Sequence, residues 1–127
     1  MTLFVLDASA LLAVVRDEPG ANVVADRMMG ALMSTINASE AIMRSVEKGF
    51  PFAAVKSLII YRQINLVPFD WELALKTAEL RPATRRHGLS FADRACIALA
   101  LREQATILTA DRVWSELDLP CPVEVIR

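Results

Sequence analysis

Short apolar runs alternating with helical segments constrain this chain more than any other feature. Leu3–Leu6, Leu32–Ile36, Asn65–Phe69, Thr106–Ala110 and Val123–Ile126 are brief and mostly apolar, the pattern of strands buried in a parallel sheet. Between them, Ala8–Arg16, Gly20–Leu32, Ala38–Lys48, Pro51–Gln63, Trp71–Leu80 and a long stretch from Ser90 carry helical spacing. This order predicts an α/β domain over residues 1–127, with a mostly parallel central sheet of about four to five strands flanked by helices.

The ends of these segments are marked by residues with a local reason to be there. The turn Asp17–Gly20 and Gly49 stop helices, and Asp70 is placed to cap the helix that follows it. Asn37 reads as the N-cap of the helix from Ala38, which puts Glu40 in its first turn. Ser90 and Asp93 have the spacing of a capping box, with Asp in place of the usual Glu. Arg81–Gly88 reads as an irregular loop holding the one dense basic cluster.

Composition narrows the function classes. A length of 127 residues suits one core that stands without staples. Lys and Arg total 14 against 15 Asp and Glu, so no overall positive charge marks a basic nucleic-acid binder, and any basic surface is local. Cys96 and Cys121 lack CxxC spacing and the chain has a single histidine, which argues against zinc and for idle thiols in a reducing compartment. The first residues have no cationic leader and no run is long enough to span a bilayer, so the expectation is a cytoplasmic protein with no membrane association. Hydrophobic residues make up 54% of the chain, enough to leave apolar side chains for a partner surface.

Four acids stand at the seams of this pattern: Asp7, Glu40, Asp93 and Asp111. Each has an ordinary explanation. Asp7 can cap a helix, Glu40 can favour a helix start, Asp93 can complete a capping box, and Asp111 can end a strand in a polar turn. Taken together they fall where strands stop or helices start, and in an open α/β sheet those points share one edge. Carboxylates gathered there repel one another unless a cation sits among them, which points to divalent-metal chemistry. Ser9 and Thr109, each two residues from one of these acids, are hydroxyls that can hydrogen-bond a carboxylate or a metal-bound water.

The succession Asp7-Ala8-Ser9, Asn37 to Glu40, Ser90 to Asp93 and Thr109 to Asp111 resembles the PIN-domain ribonucleases, in particular VapC-type toxins of bacterial toxin–antitoxin pairs. The resemblance runs over nearly the whole chain. It implies a PIN fold, dependence on Mg²⁺ or Mn²⁺, an RNA substrate, and a homodimer neutralised by an antitoxin. Some members carry a further acid after the last motif, and Glu116 is the residue here that falls nearest.

On this reading Asp7, Asp93 and Asp111 are metal ligands and Glu40 a ligand or water-orienting base, with Ser9, Asn37 and Thr109 in support. Arg85, Arg86 and His87 precede the Asp93 helix and are placed to hold an RNA backbone; an exposed basic loop is the plain alternative. Arg94 and Arg112, each beside a site acid, either meet phosphate or offset the acids' charge. The apolar Pro51–Gln63 segment suggests a groove for the antitoxin, with core packing as its ordinary role. Two other classes stay open: a phosphoryl-transfer domain with Asp7 as acceptor, and a non-catalytic PIN-like binding module.

Overall fold

The computed structural model describes residues 2–127. Five strands, β1 (Phe4–Leu6), β2 (Leu32–Ser34), β3 (Asn65–Val67), β4 (Thr106–Thr109) and β5 (Val123–Val125), form one sheet in the order β3-β2-β1-β4-β5. Every neighbouring pair is parallel. The helices are α1 (Ala8–Val15), α2 (Ala21–Arg27), α3 (Thr35–Glu47), α4 (Ala53–Tyr61), α5 (Trp71–Glu79), α6 (Arg81–Thr84) and α7 (Phe91–Glu103).

Strand alternation divides the core. Leu6 and Leu108 point to one face, where they pack with Leu11 and Leu12 of α1, Val24 of α2, Ala41 of α3 and Val55 of α4. Val5 and Ile107 point to the other face, against Leu73 of α5, Leu99 of α7 and Trp114. α7 is buried along Ala95–Ala100, so its first turn is held firmly at the end of the sheet.

The sequence order reverses between β1 and β4: β1 continues outward to β2 and β3, whereas β4 and β5 lie on its other side. Such a switch point leaves a crevice beyond the carboxyl ends of the two strands. Asp7 follows β1 directly, and Ala110 and Asp111 follow β4, so the fold opens this crevice between them.

Several boundaries differ from the sequence expectation. β2 ends at Ser34, whose hydroxyl accepts from the Ile36 amide, so Ser34 and not Asn37 caps α3. Asn37 therefore lies inside the helix and Glu40 in its second turn. α2 stops at Arg27, and α4 begins at Ala53, two residues past Pro51. The Arg81–Gly88 stretch is not a loop: it forms α6, with Pro82 tolerated in its first turn, and then a 3₁₀ turn over Arg85–His87 closed by Gly88 at φ +68°. Asp7, Asp70 and Asp111 do cap the turns that follow them.

Candidate functional site

Asp7 is 5% exposed, and both of its oxygens are engaged. Oδ1 accepts from Ser9 Oγ at 2.6 Å and from the Ala10 amide at 3.0 Å. Oδ2 accepts from Thr109 Oγ1 at 2.8 Å. Thr109 Oγ1 in turn accepts from the Asp111 amide at 3.1 Å, and Ser9 Oγ accepts from the Ala110 amide at 2.9 Å. Ser9 and Thr109 thus stitch the end of β1 to the end of β4, the two sides of the switch point.

Burial pushes the Asp7 carboxyl up to about 6 from an ordinary 3.8; the bonds from Ser9, Thr109 and Ala10 oppose this, and the charge of Asp93 adds to it. Burial likewise raises Glu40, with the charge of Asp93 adding to it, while Arg44 and the Asn37 amide pull it the other way. Arg44 lies 3.9 Å from Glu40, one turn along α3. Asp93 is thus the charge that both Asp7 and Glu40 feel.

Asp93 completes the predicted capping box: its amide donates to Ser90 Oγ at 3.1 Å, and its Oδ2 accepts from the Ser90 amide at 2.9 Å. Asn37 Nδ2 donates to the carbonyl of Ala92 at 2.9 Å and so ties α3 to this first turn of α7. Asp111 is exposed, and its Oδ1 accepts from the Val113 amide at 3.0 Å. It joins the others through Thr109 and the backbone.

Asp7, Glu40 and Asp93 share a field, yet among the described residues no three acidic, histidine or cysteine side chains are close enough together to hold a metal ion. The chemistry of the donor set nonetheless fits a hard divalent cation. It consists of carboxylate, hydroxyl and amide oxygens, and Asp93 Oδ1 and Asp111 Oδ2 have no hydrogen-bond donor among the described residues. Asn37 Oδ1 is buried with no partner among the described residues, so one further acceptor waits beside the acids.

The basic residues divide. Arg85 and Arg86 are exposed on the 3₁₀ turn that leads into α7, and His87 is half-buried beside them. Arg94 is engaged elsewhere: Nη1 donates to the Thr77 carbonyl at 3.0 Å and its guanidinium lies over the Phe91 ring. Arg112 Nε donates to the Arg127 carbonyl at 3.0 Å. Neither forms an ion pair with a site acid among the described residues. Glu116 is exposed on the turn after Asp111, with no ion pair of its own there. Cys96 and Cys121 are both buried, and burial raises both thiols away from reactivity. Arg44 was missed as a neighbour of Glu40, although its i,i+4 spacing was readable.

The model of the PIN domain matches residues 4–119. Among solved structures, the VapC20 sarcin-ricin loop cleaving toxin of Mycobacterium tuberculosis superposes with a TM-score of 0.75 at 16% identity, covering 89% of this chain and 93% of that one. A DNA-bound VapBC from Salmonella typhimurium gives 0.73 at 19% identity, over 100% of both chains. A toxin–antitoxin complex from Klebsiella pneumoniae gives 0.73 at 13% identity, over 97% of each. No curated protein sequence matches the chain.

Proposed function

The chain belongs to the PIN domain family, and from that premise we propose that it is a metal-dependent endoribonuclease, the toxin of a type II toxin–antitoxin pair. The observation that carries this reading is Asp7, a buried carboxylate raised to about 6 at the switch point of the sheet, in the field of Asp93, which Glu40 shares. Burying an acid without a cationic partner is costly, and the Arg44 beside Glu40 makes no ion pair with Asp7 among the described residues. A divalent cation offsets that cost.

Asp7, Asp93 and Asp111 would hold Mg²⁺ or Mn²⁺, with Ser9 and Thr109 fixing the orientation of Asp7. When bound, such an ion supplies an acidified water and positive charge opposite the phosphate oxygens. Glu40, raised by burial and by Asp93, takes the proton of the attacking water on a carboxylate oxygen. Arg85 and Arg86 hold the RNA backbone on the approach to α7. A role for Asp7 as phosphoryl acceptor fits poorly, because so little of it is exposed to an incoming phosphoryl group, whereas Oδ2, with one hydrogen bond, keeps a lone pair for a cation.

The antitoxin and a second copy of the chain are the proposed protein partners; similarity to structures of toxin–antitoxin complexes supports the antitoxin alone. Met43 and Val46 on α3, with Phe52, Ile60 and Tyr61 at and along α4, are exposed and supply apolar surface for such contacts. Val55 and Ile59 on the same segment are core residues. No helix among the described residues is long and apolar enough to cross a membrane.

The test is RNA cleavage by purified protein with Mn²⁺, with a chelator, and by folded Asp7→Ala. Activity that survives both chelation and the substitution would falsify the proposal.

A further inference from the structure

We infer that Asn37 is a positioning residue for the proposed metal site, setting the placement of Asp93 against Glu40 and offering its free oxygen to water held among the acids. The inference rests on the nuclease reading above.

Asn37 is 1% exposed and lies one turn before Glu40 on α3. Its Nδ2 reaches across to the carbonyl of Ala92 at 2.9 Å. That carbonyl belongs to the peptide whose amide is Asp93's own, so the bond fixes the plate on which Asp93 is mounted. Since Asn37 and Glu40 are rigidly related within one helix, the tie fixes Asp93 relative to Glu40 as well.

The other half of the amide is the informative part. Asn37 Oδ1 is buried and has no hydrogen-bond partner among the described residues. Rotating the amide does not relieve it, because that would set oxygen against the Ala92 carbonyl. A buried acceptor left unmade is a standing cost that a residue serving only to tie two helices does not need. The neighbouring acids accept hydrogen bonds when ionised and cannot satisfy it. Water bound among carboxylates is the donor such an oxygen suits.

The experiment compares wild-type protein with Asn37→Ala by Mn²⁺ calorimetry, by RNA cleavage, and by urea unfolding in chelator. We expect Mn²⁺ affinity to fall roughly ten- to hundredfold, as for residues that orient metal ligands, with kcat falling alongside. The urea midpoint should move little, because the lost tie and the removed orphan oxygen offset each other. Should Asn37→Ala not fold, Asn37→Ser, which is too short to make the tie, is measured in its place with the same expectation. A variant that binds Mn²⁺ as tightly as wild type overturns this inference alone. A wild-type protein that takes up no Mn²⁺ overturns it together with the proposed function.

Discussion

Thr109 Oγ1 donates to Asp7 Oδ2 at 2.8 Å, closing a contact between residues 102 positions apart in the chain. The bond sits where β1 and β4 end side by side, and neither group is open to solvent: Thr109 is 0% exposed and Asp7 5%. It therefore serves two purposes, holding the sheet's central pair together at its end and fixing which way the Asp7 carboxylate faces.

Replacing Thr109 with Val keeps the shape and removes the hydroxyl. Asp7 Oδ2 is then buried without a donor, and the Asp111 amide loses its acceptor. The expected loss is about 1–3 kcal/mol of folding stability, read from urea unfolding at neutral pH in chelator. A Thr109→Val protein as stable as wild type would mean that solvent reaches this pair after all.

The raised carboxyl of Asp7 gives stability a pH dependence of unusual sign. Between 3.8 and about 6 the folded protein keeps a proton that the unfolded chain has released, so stability falls as pH rises through that window. The full effect of this group is roughly 3 kcal/mol once the pH exceeds about 6. Metal-free wild type should thus be less stable at pH 7 than at pH 5, with Glu40 contributing in the same direction. Asp7→Asn should flatten the trend, and Mn²⁺ should reverse it, because a cation binds the ionised form. Urea midpoints over pH 4.5 to 7.5, with and without Mn²⁺, check all three, and a metal-free wild type that gains stability towards pH 7 contradicts the assignment to Asp7.

Glu40→Gln separates proton transfer from ligand binding. The amide is the same size and keeps an oxygen, but it cannot take up a proton at neutral pH. As a general base, Glu40 should contribute about 10²- to 10⁴-fold to kcat, with Mn²⁺ affinity changed far less. Single-turnover cleavage and calorimetry on the same sample give both numbers. Wild-type turnover in Glu40→Gln would remove Glu40 from the chemistry.

What could be read from the sequence was local. Asp93 was legible as a cap because Ser90, its partner, lies three residues away, and Asp7 and Asp70 were legible for the same reason. The alternation of strands and helices, and with it the shared edge, followed from apolar spacing alone. The start of α3 was misplaced because Ser34, Thr35 and Ile36 read as the continuation of the strand begun at Leu32, and only the packed helix reveals which hydroxyl accepts the first amide. The turns of Arg81–His87 were hidden by polar composition; in the fold Thr84 is buried, and both its amide and its hydroxyl bond back to the Leu80 carbonyl. The bonds that join Thr109 to Asp7 and Asn37 to Ala92 span long stretches of chain, and no local pattern encodes them.

On the proposed reading, Arg85 and Arg86 are the cations that hold the substrate. Both are exposed on the turn that delivers the chain to Ser90 and Asp93, and neither forms an ion pair with an acid among the described residues. This contrasts with Arg94 and Arg112, each committed to a backbone carbonyl. A phosphate contact releases condensed counterions, so each arginine that meets the RNA backbone adds about 0.7 to the slope of log affinity against log salt for a single strand. The double substitution Arg85→Ala with Arg86→Ala should weaken RNA binding in low salt and flatten that slope by roughly 1.4. Cleavage of saturating RNA should continue at the wild-type rate, because the acids and their hydrogen bonds are untouched. Fluorescence anisotropy over a salt series, using RNA with metal withheld, measures the slope; a variant with the wild-type slope would show that the backbone is held elsewhere on the surface.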